Sequence, residues 1–264
     1  MKSDESKNSF SHESEHHKSE HHKSEQKDQN SNSCSGHSPS VEFSSSHSNN
    51  SSSPSERSVE PSEQTDFYPD SWITIYGKGK PVRLFVAGMH GNEWKDTTGI
   101  LRNIKPPETG TLALIPLVSS GKYLSTLNSS YYPGIGKKIL KAIEELKPEI
   151  YIELHSYSGE NFEKLAGKDR LDRIGVPAYS ILKEGVLLGS VSPWIRKKYF
   201  PKEALCLSFE IGKESLESRK FAAHMLEILK ETQSRDEFIE FMKKEYPLQA
   251  KKAIEDYRRF YGEI

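Results

Sequence analysis

Hydrophobic residues are sparse and without period up to about Asp66, and beyond it they fall into two kinds of run. "WITIYG", "VRLFVAG", "TLALIPL", "EIYIEL" and "ALCLSFEI" are short and mostly apolar, the pattern of strands buried in a sheet. "GKGKP" supplies the turn between the first two. "DTTGILRNI" predicts a short helix with Asp96 or Thr97 near its N-cap. "GIGKKILKAIEELKP" places Ile135, Ile139, Ile143 and Leu146 at helical spacing before Pro148 closes the run. From Lys213 onward the pattern predicts two or three helices rich in Lys and Glu. This alternation predicts an α/β domain with a mixed, largely parallel sheet flanked by helices. Function in such folds gathers where strands end.

Composition divides the 264-residue chain. Residues 1–66 are dominated by Ser, Glu, Lys, Asn and His, and bury too little apolar surface to offset a backbone ordering cost of roughly 1–2 kcal/mol per residue. They are expected to form a disordered tail, and 67–264 a single folded domain. The repeat "SEHHKSEHHKSEQK" in the tail reads either as a loose metal-binding arm or as a solvated arm with incidental histidines. The formal net charge of −1 argues against nucleic-acid partners. Two cysteines, Cys34 and Cys206, make no disulfide framework. No stretch approaches the ~18 consecutive apolar residues of a membrane helix, and Met1–Phe10 has no signal-peptide core. A cytoplasmic protein without membrane partners is expected.

The candidate chemistry rests on few residues. Of the ten histidines, all but His90, His155 and His224 lie in the tail. His90 follows the strand "LFVAGM" and His155 follows "YIEL". Glu93 is three residues beyond His90, so a tight turn or first helical turn, made easy by Gly91, brings both side chains to one side. The same spacing occurs in the tail, at His12/Glu15 for example, so context carries the signal. Two imidazoles and one carboxylate form an open coordination set suited to catalytic zinc, in which metal lowers the pKa of a water towards about 7. Glu153 shares a strand face with His155. It reads either as an acceptor orienting the imidazole or as a solvated edge residue. Glu210 ends an apolar strand, where desolvation would raise a carboxyl towards neutrality and suit a general base. A capping or salt-bridged role fits the same position. His224 borders Phe221, Met225 and Ile228 at ordinary helix-packing spacing and has no predicted role in chemistry.

Taken together, "GMHGNEW", "ELHSYSG" and "FEIG" resemble the zinc carboxypeptidase superfamily, including its aspartoacylase and succinylglutamate desuccinylase branch. Order and strand context agree over roughly residues 82 to 213. The resemblance implies His90, Glu93 and His155 as ligands of Zn2+, and Glu210 as general base and acid. It places Asn128 on the family's substrate-binding asparagine and Lys122 near the arginine that stabilises the oxyanion, with the intervening spacing one residue shorter. Ser129 stands where the carboxylate-binding arginine would be, and a serine lacks that charged bidentate grip. Arg170 and Arg173 either replace the charge or are solvated surface residues. These departures fit an uncharacterised archaeal branch of the superfamily.

The expected activity is zinc-dependent hydrolysis of an amide, in a peptide C-terminus or an N-acyl amino acid. The expected partner is a small-molecule or peptide substrate. The alternative is a non-catalytic metal- or ligand-binding module on the same fold.

Overall fold

A computed structural model describes residues 72–262. The expected tail at 1–66 lies outside the described residues. The run VRLFVA forms strand β2 (Val82–Ala87), buried at every position after the first. Its neighbours β3 (Gly110–Ile115) and β4 (Ile150–Tyr157) are buried along nearly their whole length, as strands covered on both faces must be. With β7 (Leu205–Gly212) they make a parallel centre in the order β3-β2-β4-β7. Antiparallel strands finish both edges. β1 (Thr74–Lys78) pairs with β3, and β6 (Leu187–Ser190) pairs with β7 and then with β5 (Ser180–Ile181). The seven-stranded sheet is therefore mixed, with the parallel part confined to the middle. β1 and β2, although consecutive, are not partners, because β3 lies between them.

Helices cover both faces. α1 (Trp94–Arg102), α6 (Leu216–Glu231) and α7 (Arg235–Glu245) pack Leu101, Met225, Leu229, Phe238 and Met242 on Phe85, Leu112, Ile152 and Phe209. On the other face, α2 (Lys137–Leu146) and α5 (Pro193–Tyr199) set Ile139, Ile143 and Ile195 against Leu84, Val86, Tyr151 and Cys206. Alternation along each strand makes this division, since successive side chains point to opposite faces. α2 stops where Lys147 turns left-handed at φ 52° and Pro148 follows. α6 and α7 start at Ser215 and Ser234, whose hydroxyls accept from the backbone N–H of Ser218 and Glu237. α8 (Pro247–Tyr261) closes the described chain. Between β4 and β5 lie a 3-10 turn (Gly159–Asn161) and two short helices, α3 (Phe162–Ala166) and α4 (Arg170–Ile174). Among the described residues no helix is long and apolar enough to cross a membrane.

Candidate metal centre

The end of β2 builds the first half of the site. After Ala87 the chain turns through Gly88 and Gly91, both at φ 57°, a conformation that side chains with a Cβ rarely adopt. At Gly88 a Cβ would also come within 2.9 Å of Leu117. Gly91 is clamped by backbone bonds, donating to the Lys122 carbonyl at 3.0 Å and accepting from Gly121 at 2.9 Å. His90 is thereby fixed above the sheet end, and Glu93 stands just before α1. The predicted cap moves accordingly. Glu93 rather than Asp96 or Thr97 occupies the N-cap position, and Asp96 lies in the first turn.

β4 and β7 supply the second half. His155 and Glu210 are register partners on adjacent parallel strands, so their side chains share the face that carries Tyr151 and Glu153. His90, Glu93 and His155 each offer a ligand atom within 4.8 Å of the others. Glu93 Oε2 lies 3.4 Å from His155 Nδ1 and 3.6 Å from His90 Nδ1. All three residues are buried. His90 Nδ1 and Glu93 Oε2 make no hydrogen bond, an expensive arrangement for buried polar atoms unless something else occupies the space between them. Two imidazole nitrogens and a carboxylate oxygen converging on one point fit a borderline divalent cation such as zinc.

The surroundings tune this set. Glu153 Oε2 sits 3.3 Å from His155 Nε2, and its other oxygen accepts from Tyr132 at 2.6 Å and Tyr151 at 2.7 Å. The bond to Glu153 leaves Nδ1 of His155 facing Glu93. Burial, then the Glu153 carboxylate, pushes both phenols well above their ordinary range, which keeps them protonated donors. Burial pushes His90 down to about 4. For His155 burial acts downward, but Glu93, Glu153 and Glu210 outweigh it and hold the ring well above the usual histidine range. Glu210 is pushed up to about 7, chiefly by burial, with Glu93 and Glu153 adding and His155 and Arg170 opposing.

A cavity of about 560 Å³ contains His90, Glu93, His155 and Glu210 in its wall. Lys122 and Asn128 are not in that wall. The Lys122 side chain is exposed, and the Asn128 carboxamide oxygen accepts from the Ser130 backbone and hydroxyl at 2.9 and 2.7 Å. Ser129 is likewise exposed and outside it. The cation beside Glu210 is Arg170, which is buried and not the solvated surface residue that was one of its two readings. Its Nη1 donates to the Pro177 carbonyl at 2.7 Å, its guanidinium lies 4.8 Å over the Tyr179 ring, and its Nε–H is buried without a partner. Arg173 stays exposed against Asp169. His224 is exposed on α6. Tyr132 had no periodic signal that would have marked it as a neighbour of the site, whereas Tyr151 was marked by the strand alternation it shares with Glu153 and His155 and was passed over.

Comparison with known proteins adds a family. Residues 78–262 match the family described as "Uncharacterized protein conserved in archaea (DUF2119)". The chain belongs to this family. A relative, the uncharacterized protein MJ0501 of Methanocaldococcus jannaschii, is 38% identical over 187 residues, covering 67% of this chain and 90% of its own. The span of the DUF2119 family match takes in every residue of the candidate centre and leaves out the Ser/His/Glu-rich segment. A solved structure, a variant of the cell shape determinant protein Csd4 from Helicobacter pylori, is 17% identical with a TM-score of 0.24. It covers 33% of this chain and 27% of its own length.

Proposed function

We propose that this DUF2119 protein is a metal-dependent amide hydrolase related to the zinc carboxypeptidase superfamily, near its aspartoacylase and succinylglutamate desuccinylase branch. The observation that carries the reading is the pairing of two features in one cavity. A buried His-Glu-His set has ligand atoms left unbonded, and a desolvated carboxylate stands on the adjacent strand.

His90, Glu93 and His155 would hold the ion. Zinc there supplies Lewis acidity that polarises a carbonyl and makes water nucleophilic near neutral pH. Glu210, ionising near neutrality, accepts the proton of the attacking water and returns it to the leaving amine. Arg170 places positive charge beside the reacting carbonyl, the part earlier expected of Lys122. Glu153, held by two phenols, keeps the His155 imidazole in one orientation.

The test combines metal analysis with an amide screen on a chain lacking residues 1–66, so that metal found is held by the folded part and not by the tail histidines. Glu210→Gln keeps the shape of the side chain and removes its basicity. It is expected to retain metal and lose about 10²–10⁴-fold in hydrolysis. Activity indifferent to this change defeats the mechanism. A metal-loaded protein inactive on every amide favours a binding module instead, a reading supported by the serine at position 129 and by the position of Lys122 outside the cavity.

A further inference from the structure

The cavity does not end at Glu210. On β7 the next two positions on the Glu210 face are Ser208 and Cys206, both buried and both small. The Tyr179 hydroxyl lies 3.0 Å from Ser208 Oγ and closes the wall there, and the cavity wall runs on to Cys206 and Leu205. From Glu210 to Leu205 a strand advances about 16 Å, and both ends of that stretch border the same cavity.

The far part is roofed by α8. β6 pairs with β7 only from Leu187↔Glu210 to Ser190↔Leu207, so the start of β7 has no strand on that side. α8 spans the gap, with Ala250 in the core of one sheet face and a polar bond to α5 on the other. Tyr257 Oη accepts from Arg196 at 2.8 Å, and Tyr261 Oη lies 3.2 Å from Ser190 Oγ. Ala250, Ile254, Tyr257 and Tyr261 form one stripe at helical spacing, the face an amphipathic helix normally packs into a core. Only Ala250 is buried, and all four line the cavity. A helix has thus turned its apolar face towards open space.

Protein interiors rarely hold voids much larger than a water molecule, whereas ligand sites span about 300–1,000 Å³. We infer that this inner arm is a subsite for an unbranched hydrocarbon chain on the acyl side of the scissile amide, which makes N-acyl compounds with medium or long chains the substrate class. The acyl side follows from the layout. The mouth carries Asn92, Ser158, Lys164 and the exposed Tyr123, a polar opening through which the released amine departs. The arm under α8, lined by Phe238, Met242, Ala250, Ile254 and Phe260, retains the other half. The assignment of the acyl side rests on the hydrolase reading, and the subsite itself does not.

The full chain stripped of metal is titrated calorimetrically with acetate, hexanoate and decanoate. Affinity is expected to rise by about tenfold or more from hexanoate to decanoate. Ala253→Trp and Ile254→Trp, which fill the arm from α8, are expected to weaken decanoate binding at least about tenfold, with circular dichroism checking the fold of each. Equal affinity along the series, or decanoate binding unchanged in both variants, overturns the proposal. With metal restored, N-decanoylglycine is expected to be cleaved faster than N-acetylglycine or N-acetylphenylalanine. Preference for N-acetylphenylalanine overturns the acyl-side assignment. Chain-length-dependent binding by a protein that takes up no metal supports the subsite and sinks the hydrolase reading alone.

Discussion

The Tyr132 hydroxyl donates to Glu153 at 2.6 Å, deep beneath the candidate centre, and Tyr151 donates to the same oxygen at 2.7 Å. Glu153 faces His155 with its other oxygen. Two phenols hold the carboxylate, and the carboxylate holds the ring. Partners of this kind typically contribute about 10–100-fold to metal affinity. Tyr132→Phe and Tyr151→Phe are each expected to weaken zinc binding by about tenfold, and the double variant by up to about a hundredfold. Competition with a chromophoric chelator measures this. A double variant with unaltered affinity refutes the clamp, whatever its thermal stability.

Arg170 opposes the burial and the neighbouring carboxylates that push Glu210 up to about 7. Removing the cation takes away a force that lowers the pKa, so the carboxyl must titrate higher. If the ionised carboxylate is the working base, the ascending limb of the pH–rate profile moves to higher pH in Arg170→Gln. Arg170→Lys keeps the charge and is expected to restore the limb while remaining slower, because an ammonium lacks the planar fork. A limb fixed at the same pH in all three proteins refutes the coupling.

The elements with strong period were legible from sequence. VRLFVA, EIYIEL and LCLSFEI became β2, β4 and β7, and the isoleucine spacing before Pro148 became α2. His90, Glu93, His155 and Glu210 were also visible, because the ends of buried strands converge in a sheet of this kind. Arg170 was not. Its helix is five residues long among Lys, Asp and Gly, and its burial comes from Pro177 and Tyr179 folding over it, a tertiary effect with no local pattern. Tyr132 was hidden for the same reason, in the irregular "SSYYPG". Lys122 and Asn128 were singled out by resemblance, and the loop that carries them keeps both out of the cavity wall. β5 and β6 are too short to show alternation against their surroundings.

Metal uptake should release protons. Without an ion, the three carboxylates near His155 outweigh burial and hold the ring well above its ordinary value, so at neutral pH it carries a proton. Ligation needs the neutral imidazole. Affinity is therefore expected to tighten as pH rises towards the raised value and to level off above it. His90, pushed down to about 4, is already neutral at pH 7 and contributes nothing to the slope there. Calorimetry in buffers of different ionisation enthalpy is expected to count about one proton released per ion at pH 7. Uptake without proton release removes His155 from the ligand set.

Asp96 joins three elements around the centre without lining the cavity. One oxygen accepts from the Glu214 backbone and from Arg219, each at 3.0 Å, and the other lies 3.3 Å from Ser156 Oγ. The carboxylate is buried and Arg219 only partly so. It thus ties α1, which follows Glu93, to β4 beside His155 and to the turn after Glu210. Asp96→Ala leaves a buried N–H and a guanidinium without their acceptor, at a cost of about 2–4 kcal/mol. For a domain of this size that corresponds to a fall in Tm of about 5–15 °C. Asp96→Asn retains an acceptor for the Glu214 N–H and loses the charge that pairs with Arg219, so its fall should be smaller. Thermal melts of the metal-free protein separate the cases. Equal losses in the two variants would mean that the charge, not the backbone bond, holds these elements together.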